Sequence, residues 1–356
     1  MQAGLLETYR QPIQARSVLA WVLSAVLAGF YLVLYFTEAL TPLARATGLG
    51  DKWTLYGFLY TVAMVAGGVY FLRRHGNSRY ERIRTIVVVA VQVVLGFALP
   101  IVMKVFGARE YYFSYFWPLK IEYLYPSVIL AHPFLIVAYS FVGSLVVFPV
   151  LAYYLGKRFY CSWICGCGGL ANTAGEPFRH LSDKSEAAWR FEKVSIYSVL
   201  AIAVAATVVV WVNWAVGQRH PGFAAFAFSV QKWYGFAIGA MFAGVLGVGL
   251  YPLMGTRVWC RFGCPMAAIL GIVQRFGRFR ITVKQDMCIA CGNCSTYCEM
   301  GIDVRSYAMA NQSFTRASCV GCGMCAHLCP RGVLKLENTP VRPGAGPPIR
   351  VYAIDP

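Results

Sequence analysis

The sequence predicts a mainly α-helical membrane protein, in which a bundle of six transmembrane helices precedes a small α+β domain. Two features of the composition predict the bundle: hydrophobic residues make up 58% of the 356 residues, and charged residues only 13%. Soluble domains are nearer half apolar and a quarter charged, which argues against a soluble enzyme, a disordered chain or a collagen-like fibre. The third feature predicts the small domain: all thirteen cysteines lie between Cys161 and Cys329.

Six apolar stretches are long enough to cross a bilayer as helices, which takes about 20 residues. We place them near 17–36, 53–72, 85–103, 129–155, 194–214 and 235–254. The first two predict an N-terminal transmembrane hairpin over 1–84. The other four predict a membrane core over 85–265.

The basic residues predict the orientation, because positive charge marks the cytoplasmic side of spanning helices. The net charge is +17, and the loop after the second span contains Arg73, Arg74, Arg79, Arg82 and Arg84. An even number of spans then places both termini, and everything after 255, in the cytoplasm. A soluble protein with this charge would suggest nucleic acid. No nucleic-acid motif accompanies the charge, so membrane lipid is the expected partner.

Two segments flank the predicted small domain at 285–337. Residues 266–284 mix apolar side chains with four basic ones, which predicts an interfacial linker, a helix or ribbon lying on the inner membrane surface. Residues 338–356 contain five prolines and two glycines, which predicts an extended tail.

The small domain contains two cysteine groups of identical spacing. They read Cys288-x2-Cys291-x2-Cys294-x3-Cys298 and Cys319-x2-Cys322-x2-Cys325-x3-Cys329-Pro330. This spacing is typical of bacterial ferredoxins with two [4Fe–4S] clusters, because three thiolates on a tight loop ligate three irons and the other group supplies the fourth ligand. The first cluster is predicted on Cys288, Cys291, Cys294 and Cys329. The second is predicted on Cys319, Cys322, Cys325 and Cys298.

A pair of zinc sites is the alternative for these cysteines. Zinc takes its ligands as two spaced pairs and does not need the third closely spaced cysteine, so the spacing favours iron–sulfur clusters. One position departs from the usual pattern: Glu299 follows Cys298 where a proline is usual. The departure concerns the loop after the ligand and removes no ligand.

An internal repeat links the predicted membrane core to this chemistry. It reads Gly-x-Arg-x-aromatic-Cys-x3-Cys. Its two cysteines are Cys161 and Cys165 in the first copy, and Cys260 and Cys264 in the second. Each copy follows an even-numbered predicted span, and on a continuing helix the paired cysteines would share one face. The four thiolates are expected to form a third cluster or a redox-active thiol site, with Cys167 as an auxiliary. Small buried residues at helix ends are the alternative.

The positions of the histidines and the absence of two binding motifs restrict which other cofactors are expected. Of the five histidines, only His132 falls in a predicted span. It is a candidate for hydrogen bonding a quinone, with a packed helix-end histidine as the alternative. The chain has no Cys-x-x-Cys-His and no Gly-x-Gly-x-x-Gly opening a strand–helix unit, so no haem, flavin or NAD site is expected.

These motifs resemble those of the membrane polyferredoxins of the NapH and NosR type, and the copper-reducing polyferredoxins of oxidase assembly are similar. The stretch Cys260-Arg-Phe-Gly-Cys264-Pro265 fits the family motif, whereas Cys165 is followed by Gly166 and then by Cys167. The resemblance implies an electron-transfer protein of a bacterial inner membrane. It would link the quinone pool, or a membrane partner, to a reductase through cytoplasmic [4Fe–4S] clusters.

Two functions are therefore expected, and both require a partner redox protein. In the first, the chain is an electron-transfer subunit, a quinol dehydrogenase component without a catalytic side chain of its own. In the second, it is an assembly factor whose clusters and thiols reduce a metal ion or a partner's cysteines while a respiratory oxidase or reductase matures. A scaffold that binds zinc is a third hypothesis, and the cysteine spacing argues against it.

Overall fold

The computed structural model of the protein describes residues 16–217 and 219–338. The predicted tail lies, apart from its first residue, outside the described residues. The described part is mainly helical, with one two-stranded antiparallel sheet.

Five helices of the described part are long and apolar enough to cross a membrane. They are α1 (Val18–Phe36), α2 (Lys52–His75), α3 (Arg79–Val105), α4 (Phe134–Leu155) and α5 (Glu186–Ala215). Two further helices are α6 (Pro221–Tyr234) and α7 (Pro265–Phe276). The strands are β1 (Phe279–Val283) and β2 (Leu334–Asn338).

The remaining helical segments are short, and their bounds suffice to identify them. They are Leu40–Ala46, Ile121–Leu124, Pro126–Ile129, Arg158–Cys161, Gly166–Asn172, Glu176–Leu181, Gly247–Gly249, Tyr251–Met254, Val258–Phe262, Asn293–Thr296, Val304–Met309 and Met324–His327. The coil widens to π-helical geometry within α3 at Gln92–Ala98, within α4 at Gly143–Val147, and after α6 at Gly235–Leu246.

Polar side chains begin most of the long helices by accepting backbone N–H groups that have no partner inside the helix. Ser17 accepts the amide of Ala20 before α1, and Ser185 accepts that of Ala188 before α5. Asp51 accepts two amides, from Trp53 and Thr54, at the start of α2.

Two predicted spans differ from the structure. The fourth was expected from 129, but α4 begins at Phe134 after a separate turn at Pro126–Ile129. Pro133 explains the difference, because proline lacks the N–H of a helix interior and pushes the preceding residue towards extended geometry. The sixth, at 235–254, is divided between the π-helical segment and the two short helices Gly247–Gly249 and Tyr251–Met254. Its glycines and Pro252 disfavour one regular helix, and the span itself stays a prediction.

Helix α7 and strand β1 occupy the predicted linker, as a helix followed by a ribbon. Met266, Ala267, Ala268 and Leu270 of α7 are at most 3% exposed. They pack among α4, α5 and the loops that precede β2. This face of the helix is thus packed inside the molecule, and its placement on the inner membrane surface stays a prediction.

One hydrophobic core unites the helical part with the cysteine-rich part. Strand β1 pairs with β2 so that Phe279 lies opposite Asn338 and Val283 opposite Leu334. Ile281 of β1 also bridges Phe314. Buried Phe148 of α4 and buried Phe279 of β1 belong to the same cluster of core side chains. The segment 279–338 is therefore packed against the helices and is not joined to them only by a flexible linker.

Candidate iron–sulfur centres

The two cysteine groups fold as two copies of one local structure. Gly292 and Gly323 adopt positive φ angles of 83° and 91°, which glycine tolerates without cost. Each glycine begins a one-turn helix, Asn293–Thr296 or Met324–His327. The turn brings three cysteines of each group to the wall of one cavity.

Two cavities lie beside these turns, each lined by four cysteines. One is lined by Cys288, Cys291, Cys294 and Cys329 and closed by apolar residues such as Val333. The other is lined by Cys298, Cys319, Cys322 and Cys325 and closed by apolar residues such as Phe314. These are the two sets of four that the spacing predicts, with the last cysteine of each group exchanged between them.

The environment of the thiols suits a negatively charged cluster. The amide of Ile302 donates to Sγ of Cys298 at 3.4 Å, and the amide of Val333 donates to Sγ of Cys329 at 3.3 Å. Such N–H···S contacts stabilise thiolate ligands and influence the cluster potential. No three metal-binding side chains of residues 16–217 and 219–338 converge on the position of a single ion. A [4Fe–4S] cube instead binds its four thiolates on four separate irons.

The twin Cys-x3-Cys motifs bring their four thiols together in the shared core. Cys161, Cys165, Cys260 and Cys264 are 5–6% exposed and belong to one cluster of buried side chains. The thiol of Cys264 lies close enough to interact electrostatically with the other three. Cys167 is partly exposed and lies within hydrogen-bonding reach of Cys165.

The helix does not continue through either pair of cysteines of the twin motif. Cys161 ends the helix Arg158–Cys161, whereas Cys165 precedes the next helix in extended geometry. Cys264 is likewise the extended residue before α7. In the second copy the cause is Pro265, which has no N–H and forces the preceding residue out of helical geometry. The amides of Cys165 and Cys264 turn back instead to the carbonyls of Tyr160 and Trp259, at 2.8 and 2.9 Å.

Burial makes these thiols poor nucleophiles. It raises the pKa of Cys161 and that of Cys260 to about 11, although the nearby cations Lys157 and Arg257 act in the opposite direction. Reactive cysteines have lowered pKa values and partly exposed sulfur atoms. The four sulfur atoms are therefore out of reach of a partner's disulfide.

A buried chain of charges connects the twin motifs to the ferredoxin-like loops. Arg257 donates to Sγ of Cys260 at 3.6 Å and to Oε1 of Glu299 at 2.8 Å. The other carboxylate oxygen of Glu299 lies 3.0 Å from Nη1 of Arg179, which in turn donates to Sγ of Cys322 at 3.6 Å. Glu299 is fully buried, and burial alone would raise its pKa, but the two arginines hold the pKa to about 2.

Sequence reasoning missed the role of Glu299, although the departure from proline was a signal. It also did not assign the role that Gln92 has in the structure. Gln92 lies where α3 widens, and its side-chain amide donates to the carbonyl of Ile164 at 2.6 Å, between the first pair of cysteines. Tyr60 donates its hydroxyl to the same side chain at 3.2 Å.

Three hydroxyl groups of the helical part fasten the loops around the second cavity. Tyr80 donates to the carbonyl of Gly321 at 2.8 Å, and Ser162 donates to that of Val320 at 2.7 Å. Ser182 donates to the carbonyl of Glu299 at 2.7 Å. The second cavity consequently faces the helices. The first is lined only by residues 288–334, and its Cys291 is exposed.

An apolar groove of about 530 Å³ lies on the other side of Arg257. Its walls include Phe191, Phe242, Leu246, Leu250, Met254, Val258 and Phe262, and the charged residues that line it are Asp183, Arg257, Arg261 and Glu299. Nε of Arg257 is buried and has no hydrogen-bond partner among the described residues.

His132 lies apart from these sites. It occupies the turn before α4 and not a helix, and its ring meets the edge of Tyr111 at a centroid distance of 5.5 Å. It lines neither the groove nor either cavity. A contact between His132 and a quinone stays a prediction.

Two family models match three stretches of the chain. A 4Fe-4S dicluster domain matches residues 287–334. A 4Fe-4S binding domain matches twice, over 134–185 and 235–284, and each of these matches contains one of the twin motifs.

Curated relatives match less than half of the chain at low identity. The methylamine utilization ferredoxin-type protein MauN of Methylobacillus flagellatus is 27% identical over 166 residues, which are 45% of this chain and 54% of the relative. MauN of Paracoccus denitrificans is 27% identical over 184 residues, 48% of this chain and 61% of the relative. YccM of Escherichia coli, whose name assigns it to electron transport, is 24% identical over 165 residues, 45% of this chain and 46% of the relative. The chain thus spans about half the length of the curated relatives it matches. No solved structure matches it.

Proposed function

We propose that this chain, a ferredoxin-type electron-transfer protein, carries electrons between a membrane quinone and a partner redox protein through three [4Fe–4S] clusters. The observation that carries the proposal is the position of Arg257. Arg257 lines the apolar groove, and its guanidinium donates to Cys260 and pairs with Glu299. Electrons would pass from the twin-motif site to the second cavity and then to the first.

The proposed ligands are three sets of four thiols. Cys288, Cys291, Cys294 and Cys329 would hold the outermost cluster. Cys298, Cys319, Cys322 and Cys325 would hold the middle one. Cys161, Cys165, Cys260 and Cys264 would hold the innermost one. When bound, each cluster supplies one-electron redox chemistry.

Charge supports the innermost set. Four thiolates on a cube give it a net negative charge, which is costly to bury without nearby cations. Arg257 and Lys157 are each 1% exposed and lie close enough to influence the ionisation of Cys161. Four neutral thiols would not need two buried cations. The buried sulfur atoms also disfavour the alternative in which the twin motif reduces a partner's cysteines, because a partner's disulfide cannot reach them.

The groove supports a quinone as the membrane-side reactant. Its apolar walls suit a prenylated ring, and Arg257 and Arg261 are among the hydrogen-bond donor side chains that line it and that a quinone carbonyl oxygen would need. Oxidation of one quinol would release two electrons, one at a time to the clusters, and two protons to water.

The first experiment counts iron. Anaerobically purified protein is expected to contain about twelve irons and twelve acid-labile sulfides per chain, and the Cys260→Ser variant about eight. Cys167→Ser is the matched control and is expected to keep about twelve, because Cys167 is not among the proposed ligands. About eight irons in the unmodified protein, with no change in Cys260→Ser, would overturn the third cluster.

A second experiment tests the groove. A tryptophan at Leu250, which lines the groove, is expected to slow reduction of the clusters by a soluble short-chain quinol. Dithionite should still reduce every cluster. Val204→Trp adds the same bulk on an exposed position of α5 outside the groove and should leave the rate unchanged. Equal quinol rates in both variants would contradict the assignment of the groove.

A further inference from the structure

We propose that a basic cleft between α5, α7 and the cysteine-rich segment binds the phosphate group of an acidic phospholipid. The cleft has a volume of about 530 Å³ and is distinct from the apolar groove, although Arg261 lines both. Its cationic side chains are Lys157, Lys193, Arg261, Arg275 and Arg316. The proposal does not depend on the quinone. Cys260 of the twin motif also lines the cleft, so the headgroup would lie beside the innermost cluster of the proposed function.

The charge of the lining points to an anion. Against five positive side chains, Glu192 supplies the one carboxylate that lines the cleft. That carboxylate is already engaged, because its Oε2 lies 2.7 Å from Nε of Arg261. A phosphate diester would therefore enter a region with a large excess of positive charge.

Lys157 strengthens the argument because it is buried. It is 1% exposed, and its Nζ donates to the carbonyl of Ala267 at 3.4 Å. It forms no ion pair with a carboxylate of the described residues. Its charge adds to the positive potential of the cleft, and in the proposed function the innermost cluster would share this cation.

The position of the cleft favours a lipid over a small soluble anion. Trp189, Lys193 and Tyr197 recur every four residues on α5, so they share one face of that helix. Aromatic and basic side chains at the end of a spanning helix mark the level of the lipid headgroups. Basic pockets between membrane helices are typical sites for acidic headgroups.

Apolar side chains complete the match to an amphiphile. Ile196 and Ala268 line the cleft from α5 and α7, and Met300 and Phe314 line it from the cysteine-rich segment. Free phosphate would use the cations but not this apolar surface. Arg275 belongs to the helical part and Arg316 to the cysteine-rich segment, so one bound headgroup would contact both parts of the molecule.

The test measures lipid binding directly. Delipidated protein in detergent is titrated with phosphatidylglycerol or phosphatidylcholine, and bound lipid is counted by native mass spectrometry. We expect one phosphatidylglycerol per chain to bind preferentially over phosphatidylcholine. The double variant Arg275→Gln/Arg316→Gln should weaken phosphatidylglycerol binding about twenty-five-fold, since each cation near a lipid surface contributes about a factor of five.

Control variants distinguish binding in the cleft from a general effect of positive charge or of misfolding. Arg190→Gln removes a cation from α5 whose side chain is outside the cleft and pairs with Glu186, and it should bind phosphatidylglycerol normally. Unchanged iron content verifies that the double variant folds, and Lys193→Gln provides a second variant if it does not. Equal affinity in the double variant and the unmodified protein would overturn the proposal. So would displacement of the lipid by millimolar inorganic phosphate, because the cleft would then be a site for the free anion.

Discussion

Glu299 is a single carboxylate that keeps two buried arginines in place. It follows the last cysteine of the first cysteine group, at the position where the second group has Pro330. The first group therefore has a charged residue where the second has a rigid turn. Each arginine that it binds donates to a cysteine thiol, one in the twin motif and one in the second cavity. One side chain therefore influences the electrostatic environment of two proposed clusters.

Replacing this carboxylate by an amide should be costly. Glu299→Gln leaves Arg179 and Arg257 buried without their counter-charge, and breaking such a pair typically destabilises a protein by about 3–5 kcal/mol. The free energy of unfolding, measured by chemical denaturation under anaerobic conditions, should fall by about that amount. Glu337→Gln on β2, which has no ion pair among the described residues, should change it little. A loss of similar size in both variants would contradict this role.

Ala290 and Gly321 are equivalent residues of the two cysteine loops, and both have a φ angle of 56°. Alanine is strained there by about 1–2 kcal/mol, so Ala290→Gly should be neutral or mildly stabilising once the entropy of glycine is included. Gly321→Ala should be destabilising, because a Cβ there would also lie 2.7 Å from Cβ of Arg158. Thermal unfolding of the two variants measures the difference. A loss of stability in Ala290→Gly as large as that in Gly321→Ala would refute the argument.

At the scale of elements, helix α2 begins with a cap that is also an ion pair. Asp51 accepts two backbone amides and pairs with Lys104 of α3. Partial burial raises its pKa, but Lys104 and the amides outweigh that effect and hold the pKa to about 2. The ordinary value is about 4. The carboxylate therefore contributes its full stabilisation above pH 4 and loses it as the pH falls towards 2.

Asp51→Asn tests this dependence, because asparagine also caps helices but carries no charge. The first turn of α2 should exchange its amide hydrogens faster in the variant than in the unmodified protein. The difference should stay constant from pH 8 to pH 5 and shrink only below pH 4. Amide exchange followed by mass spectrometry measures it. A difference that already disappears between pH 7 and pH 5 would show that the carboxyl group titrates normally.

For the whole molecule, the two parts of the chain should depend differently on iron. The segment 279–338 contains two strands and three short helices, which is too little structure for a stable core of its own. Anaerobic removal of iron by a chelator should therefore increase amide exchange in 285–338 strongly and in α1–α5 much less. Uniform exchange across the chain after chelation would argue that the clusters do not stabilise this segment.

The sequence predicts the local features of this molecule better than the contacts between its parts. Apolar runs predict the helices α1, α2, α3 and α5, because a long apolar segment in a bilayer satisfies its backbone hydrogen bonds only as a helix. The two sets of four cysteines follow from spacing, since one turn of chain positions three ligands. The burial of α7 and the Arg257–Glu299–Arg179 chain join residues far apart in sequence. A charge pattern along one segment contains no information about what packs on it.

A freely diffusing ferredoxin reaches its partners by random encounter and can offer any face. Here Tyr80, Ser162 and Ser182 hold the cysteine loops against the helices. In the proposed function, transfer between the two parts would then be a first-order process, insensitive to dilution or to the viscosity of the medium. The partner would travel instead and would meet the outermost cluster beside the exposed Cys291.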